Sequence, residues 1–458
     1  MELNSVIIQQ FQSLLEPGAV VAWEDLPAFD QQRIRAAIAP QSPLPACVVS
    51  PPHGLALQEV VRCCARNQWP LLIQGQGTKL HWGAGVKGAA VVISTQHLTQ
   101  WVDHAAGDLT LTAESGLPLA TAQERLHSQG QFIALDPLYG GSLGGLVMTA
   151  SAGSLRHRYG GVRDMVLGVE FVRSDGEKVK AGGRVVKNVA GYDLMKLLTG
   201  SHGSLGLITQ VTLRLYPLPE TWGTIVLTGS LASLQEATQT LRRSALTPVA
   251  FDLISAPVVE QLGLGDQDPA KSPLHGLILR FGTLQATVTE QMAAVQSLGD
   301  RLGMITHRFP AETESQFWQT LRQLFQAPSS SPQSLLLKLA VSPTHTVEIL
   351  GQTPTLCPAL QPWLWFHGGS GLGYGRFTLD SGNPPATLEE QITPLQTLRT
   401  LCQQHQGFMT LLAAPPTLKQ ALEVWGYQGN ALPLMTHLKQ QFDPCGILNP
   451  QQFVGSAP

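Results

Sequence analysis

The sequence predicts an α+β protein of more than one domain, and three observations predict it. A chain of 458 residues exceeds what a single hydrophobic core serves, so two to four domains are expected. Residues 44–100 alternate strand and helix signals. From Met165 onward, extended runs pair through a tight turn and end in a period-two strand.

In the first region, "LQEVVRCCARNQ" places Leu57, Val60, Val61 and Cys64 on one stripe, which predicts an amphipathic helix. "PLLIQGQGTKL" is a short apolar strand entering a glycine turn, and "AAVVIS" and "LTLTAES" are further strands. "LATAQERLHSQG" is helical and stops near Gly130. "MVLGVEFVRSDGEKVKAGG" is a hairpin turning at Asp175-Gly176. "LGLITQVTLRLYPLPE" is an alternating strand stopped by prolines, and a boundary is expected at 219/220. Residues 220–410 then form a second domain, with "QAPSSSPQS" an exposed loop. Residues 411–458, containing a helix and a turn-rich tail, form a C-terminal segment that returns to the first domain.

Composition narrows the class. A net charge of −3 gives no electrostatic case for nucleic acid or an anionic membrane. The N-terminus lacks a basic run and a continuous apolar stretch, so neither a signal peptide nor a transmembrane segment is expected. Six cysteines without a C-x-x-C pair point to reduced thiols, a cytoplasmic chain and no metal or disulfide role.

The glycines carry the functional signal. "YGGSLGGLVMTASAGSLRHRYGG" holds seven glycines in 23 positions. The common glycine codes fail on context. "GAGVKG" fits the dinucleotide pattern but precedes a strand, where that site needs a helix. "GGSLG" fits a hydrolase elbow, yet a proline spoils the upstream strand that the elbow requires. What remains is three loops, 74–80, 136–153 and 200–209, each mixing glycines with hydroxyls. Backbone N–H nests and hydroxyls suit a long ligand with a diphosphate middle.

These loops, with "GSHGSLGLITQVTLRLYPLP" and the closing "FDPCGILNPQQF", resemble the PCMH-type (vanillyl-alcohol oxidase/p-cresol methylhydroxylase) FAD-binding superfamily. Within it, "GRVVKNVAGYDLMKLLTGSHGSLG" is similar to the E-type FAD-binding subunit of glycolate oxidases. The resemblance implies an FAD-binding domain of two α+β subdomains, core about 40–219, and an α+β cap domain with an antiparallel sheet. It implies that Gly75, Gln76, Gly77, Thr78 and Lys79 take the pyrophosphate. Pro137, Ser142, Leu143, Gly144, Gly145, Thr149, Ser151 and Gly153 then line the flavin and ribityl chain, and Arg158, Tyr159 and Gly160 close that wall. Gly203, Ser204 and Leu207 form the third loop, with His202 where many relatives carry Glu. No histidine stands where relatives attach flavin covalently, and His81 comes too late, so non-covalent FAD is expected.

Oxidising a 2-hydroxy acid requires a base for the hydroxyl proton and a cation for the carboxylate. "FHGGSGLGYGRF" offers His367 as base and Arg376 as clamp, without ligands enough for a metal. Lys187 and Asn188 are a further polar pair. The resemblance thus implies oxidation of glycolate or D-lactate, with a second flavoprotein subunit and an iron–sulfur subunit as partners. Membrane attachment would then run through those partners. The alternatives are a self-sufficient FAD-linked oxidase and a flavin-bearing structural subunit without turnover.

Overall fold

A computed structural model describes residues 2–184, 191–265, 272–326, 334–378 and 387–452. Lys187, Asn188 and most of "QAPSSSPQS" lie outside the described residues. The chain divides into two units: residues 1–153, 160–218 and 427–458, and residues 154–159 with 219–426. These divisions at 218/219 and 426/427 stand beside the boundaries expected at 219/220 and 410/411. The excursion at 154–159 has no counterpart among the expected ones.

The first unit contains β1 (Val20–Ala22), β2 (Cys47–Val49), β3 (Leu71–Gln74), β4 (Val91–Ser94), β5 (Trp101–Ala105) and β6 (Thr110–Glu114). It continues with β7 (Gln131–Phe132), β8 (Val166–Val172), β9 (Lys178–Gly182), β10 (Leu207–Arg214) and β11 (Tyr216–Pro217). Strands β1 to β4 form one sheet in the order β1-β2-β4-β3, with β2, β4 and β3 parallel. Such strands are buried on both faces and read as continuous apolar runs. Cys47, Val49, Leu71, Val91 and Ile93 meet Leu57, Val60, Val61 and Cys64 of helix Gly54–Asn67, and Val48, Leu72 and Val92 join a second core cluster with Trp23 and Ile34. A second, antiparallel sheet runs β5-β6-β10-β8-β9. Its β8–β9 hairpin turns at Gly176, whose φ of +83° is left-handed territory that glycine enters without steric cost.

The C-terminal segment is threaded into this unit. The Leu71 N–H donates to the Ile447 carbonyl (2.7 Å), and the Asn449 side-chain oxygen accepts from the Ile73 N–H (2.8 Å). Asp443, 3% exposed, accepts from the N–H groups of Ile447 and Leu448 and from Lys439 Nζ, and so holds the turn closed.

The second unit is built on β12 (Thr221–Gly229), β13 (Ala250–Ile254), β14 (His275–Thr283), β15 (Ile305–Phe309), β16 (Ser334–Ala340), β17 (Pro362–His367), β18 (Leu372–Thr378) and β19 (Phe408–Ala413). They make one eight-stranded antiparallel sheet, β15-β12-β14-β13-β17-β18-β16-β19. Alternation puts Leu335, Leu337, Leu339, Leu364, Phe366 and Phe377 on one face. On the other face the register lines up Asp252 with His367 and Leu372, and Trp365 with Tyr374 and Lys338. Helix Ala311–Phe325 meets this face through Trp318 and Glu314, where Arg280 forms a two-pronged ion pair with Glu314. The α+β class and the antiparallel cap sheet are therefore present.

Candidate functional site

In the first unit, the glycine loops after β3 and before helix Leu143–Met148 border an open cleft. Gly75, Gln76, Gly77, Thr78 and Lys79 line it, as do Ser142, Gly144, Gly145, Thr149 and Gly203. A Cβ at Gly75 would stand 2.1 Å from Ser142 Oγ, and one at Gly144 would stand 2.6 Å from Ser115 Cβ. Glycine is required here for close approach of neighbouring segments. Ser142 is not an exposed nucleophile: it is 2% exposed and its Oγ caps the helix, accepting from the Gly145 N–H.

Lys79 supplies the electrostatics. Its ammonium reaches the carbonyls of Gly140 (2.8 Å) and Tyr139 (3.2 Å), and burial pulls its pKa down to about 7. A buried ammonium satisfied only by neutral oxygens favours an anion beside it. Gln74 Oε1 and Ser115 Oγ, both buried and lining the cleft, have no hydrogen-bond partner. Buried orphans of this kind are rare in native proteins and are satisfied by ligands or ordered water. Glycine-backed loops, a buried cation and orphaned polar groups together fit a long anionic ligand of the dinucleotide kind.

The other residues expected at this site do not border this cleft. Pro137, Leu143, Ser151, Gly153, Gly160, Ser204 and Leu207 are not among the lining residues, although Ser151 Oγ bonds Thr149 Oγ1 at 2.8 Å. Gly153 is packed on Asp136, where a Cβ would stand 2.1 Å from the carbonyl oxygen. Arg158 and Tyr159 belong to the second unit. His202, in left-handed conformation (φ +51°), lines the cleft, and His81 does not. Trp82, Thr95, Asn449 and Gln452 line it unforeseen. Only the quoted tail "ILNPQQF" could have pointed to the last two.

The second unit holds a buried polar cluster. His367, 4% exposed, ends β17, and its Nδ1 lies 3.1 Å from Asp252 Oδ1 and 3.4 Å from Ser154 Oγ. Asp252 Oδ2 accepts from Trp365 Nε1 (2.8 Å) and from the Ser154 hydroxyl. An ionised carboxylate only accepts, so this environment assigns the proton to His367 Nδ1 and leaves Nε2 as the basic nitrogen. No described residue bonds Nε2. The three residue types are those of a serine hydrolase triad, but that chemistry places serine on Nε2, opposite the acid. Here Ser154 and Asp252 share the Nδ1 side, so Ser154 is not aligned as a nucleophile.

"FHGGSGLGYGRF" contains no acid, and the structure supplies one in Asp252, 115 residues upstream and paired to His367 across adjacent strands. Sequence spacing held no signal for it. Arg376, expected as the clamp, donates to the Leu324 carbonyl and stacks 5.2 Å from the Trp363 ring centroid. Lys338 is the less committed cation: burial, with the charge of Arg156 adding to it, lowers its ammonium to about 8. No described carboxylate pairs with it. Among the described residues no helix is long and apolar enough to cross a membrane.

Comparison with known proteins agrees with this geometry. Residues 45–182 match the family model described as "FAD binding domain". Glycolate oxidase subunit GlcE of Escherichia coli (strain K12) is 27% identical over 87% of this chain and 96% of its own length. Glycolate oxidase subunit GlcD of Bacillus subtilis (strain 168) is 28% identical over 60% of this chain and 59% of that protein. Among solved structures, p-cresol methylhydroxylase superposes with a TM-score of 0.71 at 14% identity, covering 99% of this chain and 97% of that one. The chain therefore has the PCMH-type fold, carries an FAD binding domain in residues 45–182, and is a relative of the glycolate oxidase subunits.

Proposed function

We propose that the chain is an FAD-dependent oxidoreductase of 2-hydroxy acids, with glycolate or D-lactate as substrate. The observation that carries the catalytic part is the buried His367, held at Nδ1 by Asp252 so that Nε2 is the base. Bound FAD supplies the acceptor for a hydride from the substrate Cα. His367 Nε2 takes the hydroxyl proton, and the product is the 2-oxo acid. Lys338, with Arg156 near it, takes the substrate carboxylate in place of Arg376. Lys79 and the glycine loops of the first unit hold the diphosphate, with FAD bound non-covalently.

The chain acts as an E-type subunit, and electrons pass to a D-type flavoprotein and an iron–sulfur partner. Likeness to the E subunit over nearly its full length supports this. The chain's own cysteines do not compete for a cluster, since five of six are buried and all are free. Those reduced thiols also support a cytoplasmic location, with membrane attachment through partners.

The test is anaerobic bleaching of the purified flavoprotein by a panel of 2-hydroxy acids, alone and in the co-expressed complex. Flavin released by acid precipitation supports non-covalent binding. Bleaching by glycolate or D-lactate only in the complex supports the subunit reading. Bleaching of the lone chain favours a self-sufficient enzyme, and no bleaching in either form overturns the activity.

A further inference from the structure

His345, Glu348 and His405 converge on one edge of the second unit, outside the cluster around His367. Each offers a ligand atom, and the three atoms lie within 4.8 Å of one another. The imidazole rings of His345 and His405 stack at 4.1 Å between centroids and 25° between planes. His405 Nε2 lies 3.6 Å from Glu348 Oε1. We propose that these three residues bind a divalent transition-metal ion of the zinc type.

The scaffold brings them together before any ion arrives. Ala340 of β16 pairs with Phe408 of β19, and just beyond it the Ser342 N–H donates to the His405 carbonyl at 2.8 Å. That register fixes the end of helix Leu388–Gln404 beside the start of helix Thr346–Leu356. His345 precedes the second helix and Glu348 lies three residues on, so both side chains emerge from its first turn. The Pro343 carbonyl accepts from Thr346 Oγ1 (2.9 Å) and from Arg242, which pins the backbone ahead of His345.

Groups behind the ligands are already in place. His345 Nδ1 lies 3.2 Å from Thr344 Oγ1, a contact that orients the ring. Gln352 Nε2 donates to Glu348 Oε1 at 3.0 Å, fixing the carboxylate. Metal-bound histidines and carboxylates are oriented by such outer partners. Two imidazoles and one carboxylate form a borderline donor set suited to zinc, cobalt, nickel or copper rather than calcium or magnesium. Three protein ligands leave at least one position for water. The sequence alone does not show this site, because His405 lies 60 residues beyond His345 and no short motif joins them.

The test uses the full-length, tag-free flavoprotein titrated with Co²⁺ and, separately, Zn²⁺. One Co²⁺ per chain with visible ligand-field bands is expected, displaced by one equivalent of Zn²⁺. His345→Gln and His405→Gln should each weaken the binding at least 100-fold and leave the flavin spectrum unchanged. A wild type that binds no ion overturns the proposal. So does a stoichiometric ion whose affinity both variants retain. Flavin content serves as the folding control, and Glu348→Gln, altered at an exposed position, gives a milder loss of affinity.

Discussion

Asp252 Oδ1 lies 3.1 Å from His367 Nδ1, with the two residues directly opposite each other on adjacent antiparallel strands. Trp365, two residues before His367 on the same face, closes the other oxygen of the carboxylate at 2.8 Å. Asp252→Asn replaces one of these acceptors by a donor and removes the reason for a proton on Nδ1. Substrate-driven flavin reduction should fall on the order of 10²–10⁴-fold, the usual worth of a positioned base. FAD content should be unchanged and the pH profile of kcat altered. Stopped-flow reduction checks this; a rate within twofold of wild type would remove Asp252 from the mechanism.

Lys338 sets a second expectation. Its lowered pKa, about 8 without substrate, rises when a carboxylate binds beside it. Substrate affinity should therefore be full below pH 8 and decline as pH climbs above it. Lys338→Met should raise KM at least tenfold and flatten that decline, whereas Arg376→Met should leave KM nearly unchanged. Steady-state kinetics of the complex between pH 6 and 10 separates the two, and the reverse ranking would restore Arg376 as the clamp.

For Lys79 the same reasoning applies to the cofactor. Its folded pKa of about 7 lies below the ordinary value for lysine, so the charged form carries a desolvation cost in the free protein. A diphosphate would restore the charge. Binding of FAD should then take up a proton above pH 7 and weaken as pH rises from there. Calorimetry in buffers of different ionisation heat measures the uptake. Lys79→Gln should abolish it, and unchanged uptake in that variant would assign it elsewhere.

Gly75 tests the cradle by shape alone. A Cβ there would stand 2.1 Å from Ser142 Oγ, so Gly75→Ala must displace the hydroxyl that caps helix Leu143–Met148. Losing such a cap costs about 1 kcal/mol. The purified variant should keep its far-ultraviolet circular dichroism and lose most of its flavin. Full flavin occupancy would show that the loop tolerates the methyl group.

The local pattern of the chain was legible because local rules govern it. The stripe of Leu57, Val60, Val61 and Cys64 forms the buried side of its helix, and Asp175-Gly176 makes the hairpin turn. Glycines with hydroxyls marked the cleft at Gly75, Gly77, Ser142 and Gly144, since close approach leaves a trace in composition. What depends on distant pairing left no such trace. Asp252 meets His367 through sheet register, and Lys338 reads as one polar residue in an apolar strand. Arg376 had the right charge, but a carbonyl and an indole ring already engage it.

Removal of a hydroxyl proton by His367, coupled to reduction of FAD by a 2-hydroxy acid, is the step on which the proposed activity rests. Anaerobic stopped-flow mixing of the assembled flavoprotein with glycolate or D-lactate probes it in wild type and His367→Gln. Wild type should bleach rapidly and the variant at least 100-fold more slowly, with equal flavin content and nearly equal substrate affinity. Equal bleaching rates in the two proteins would rule out His367 as the base.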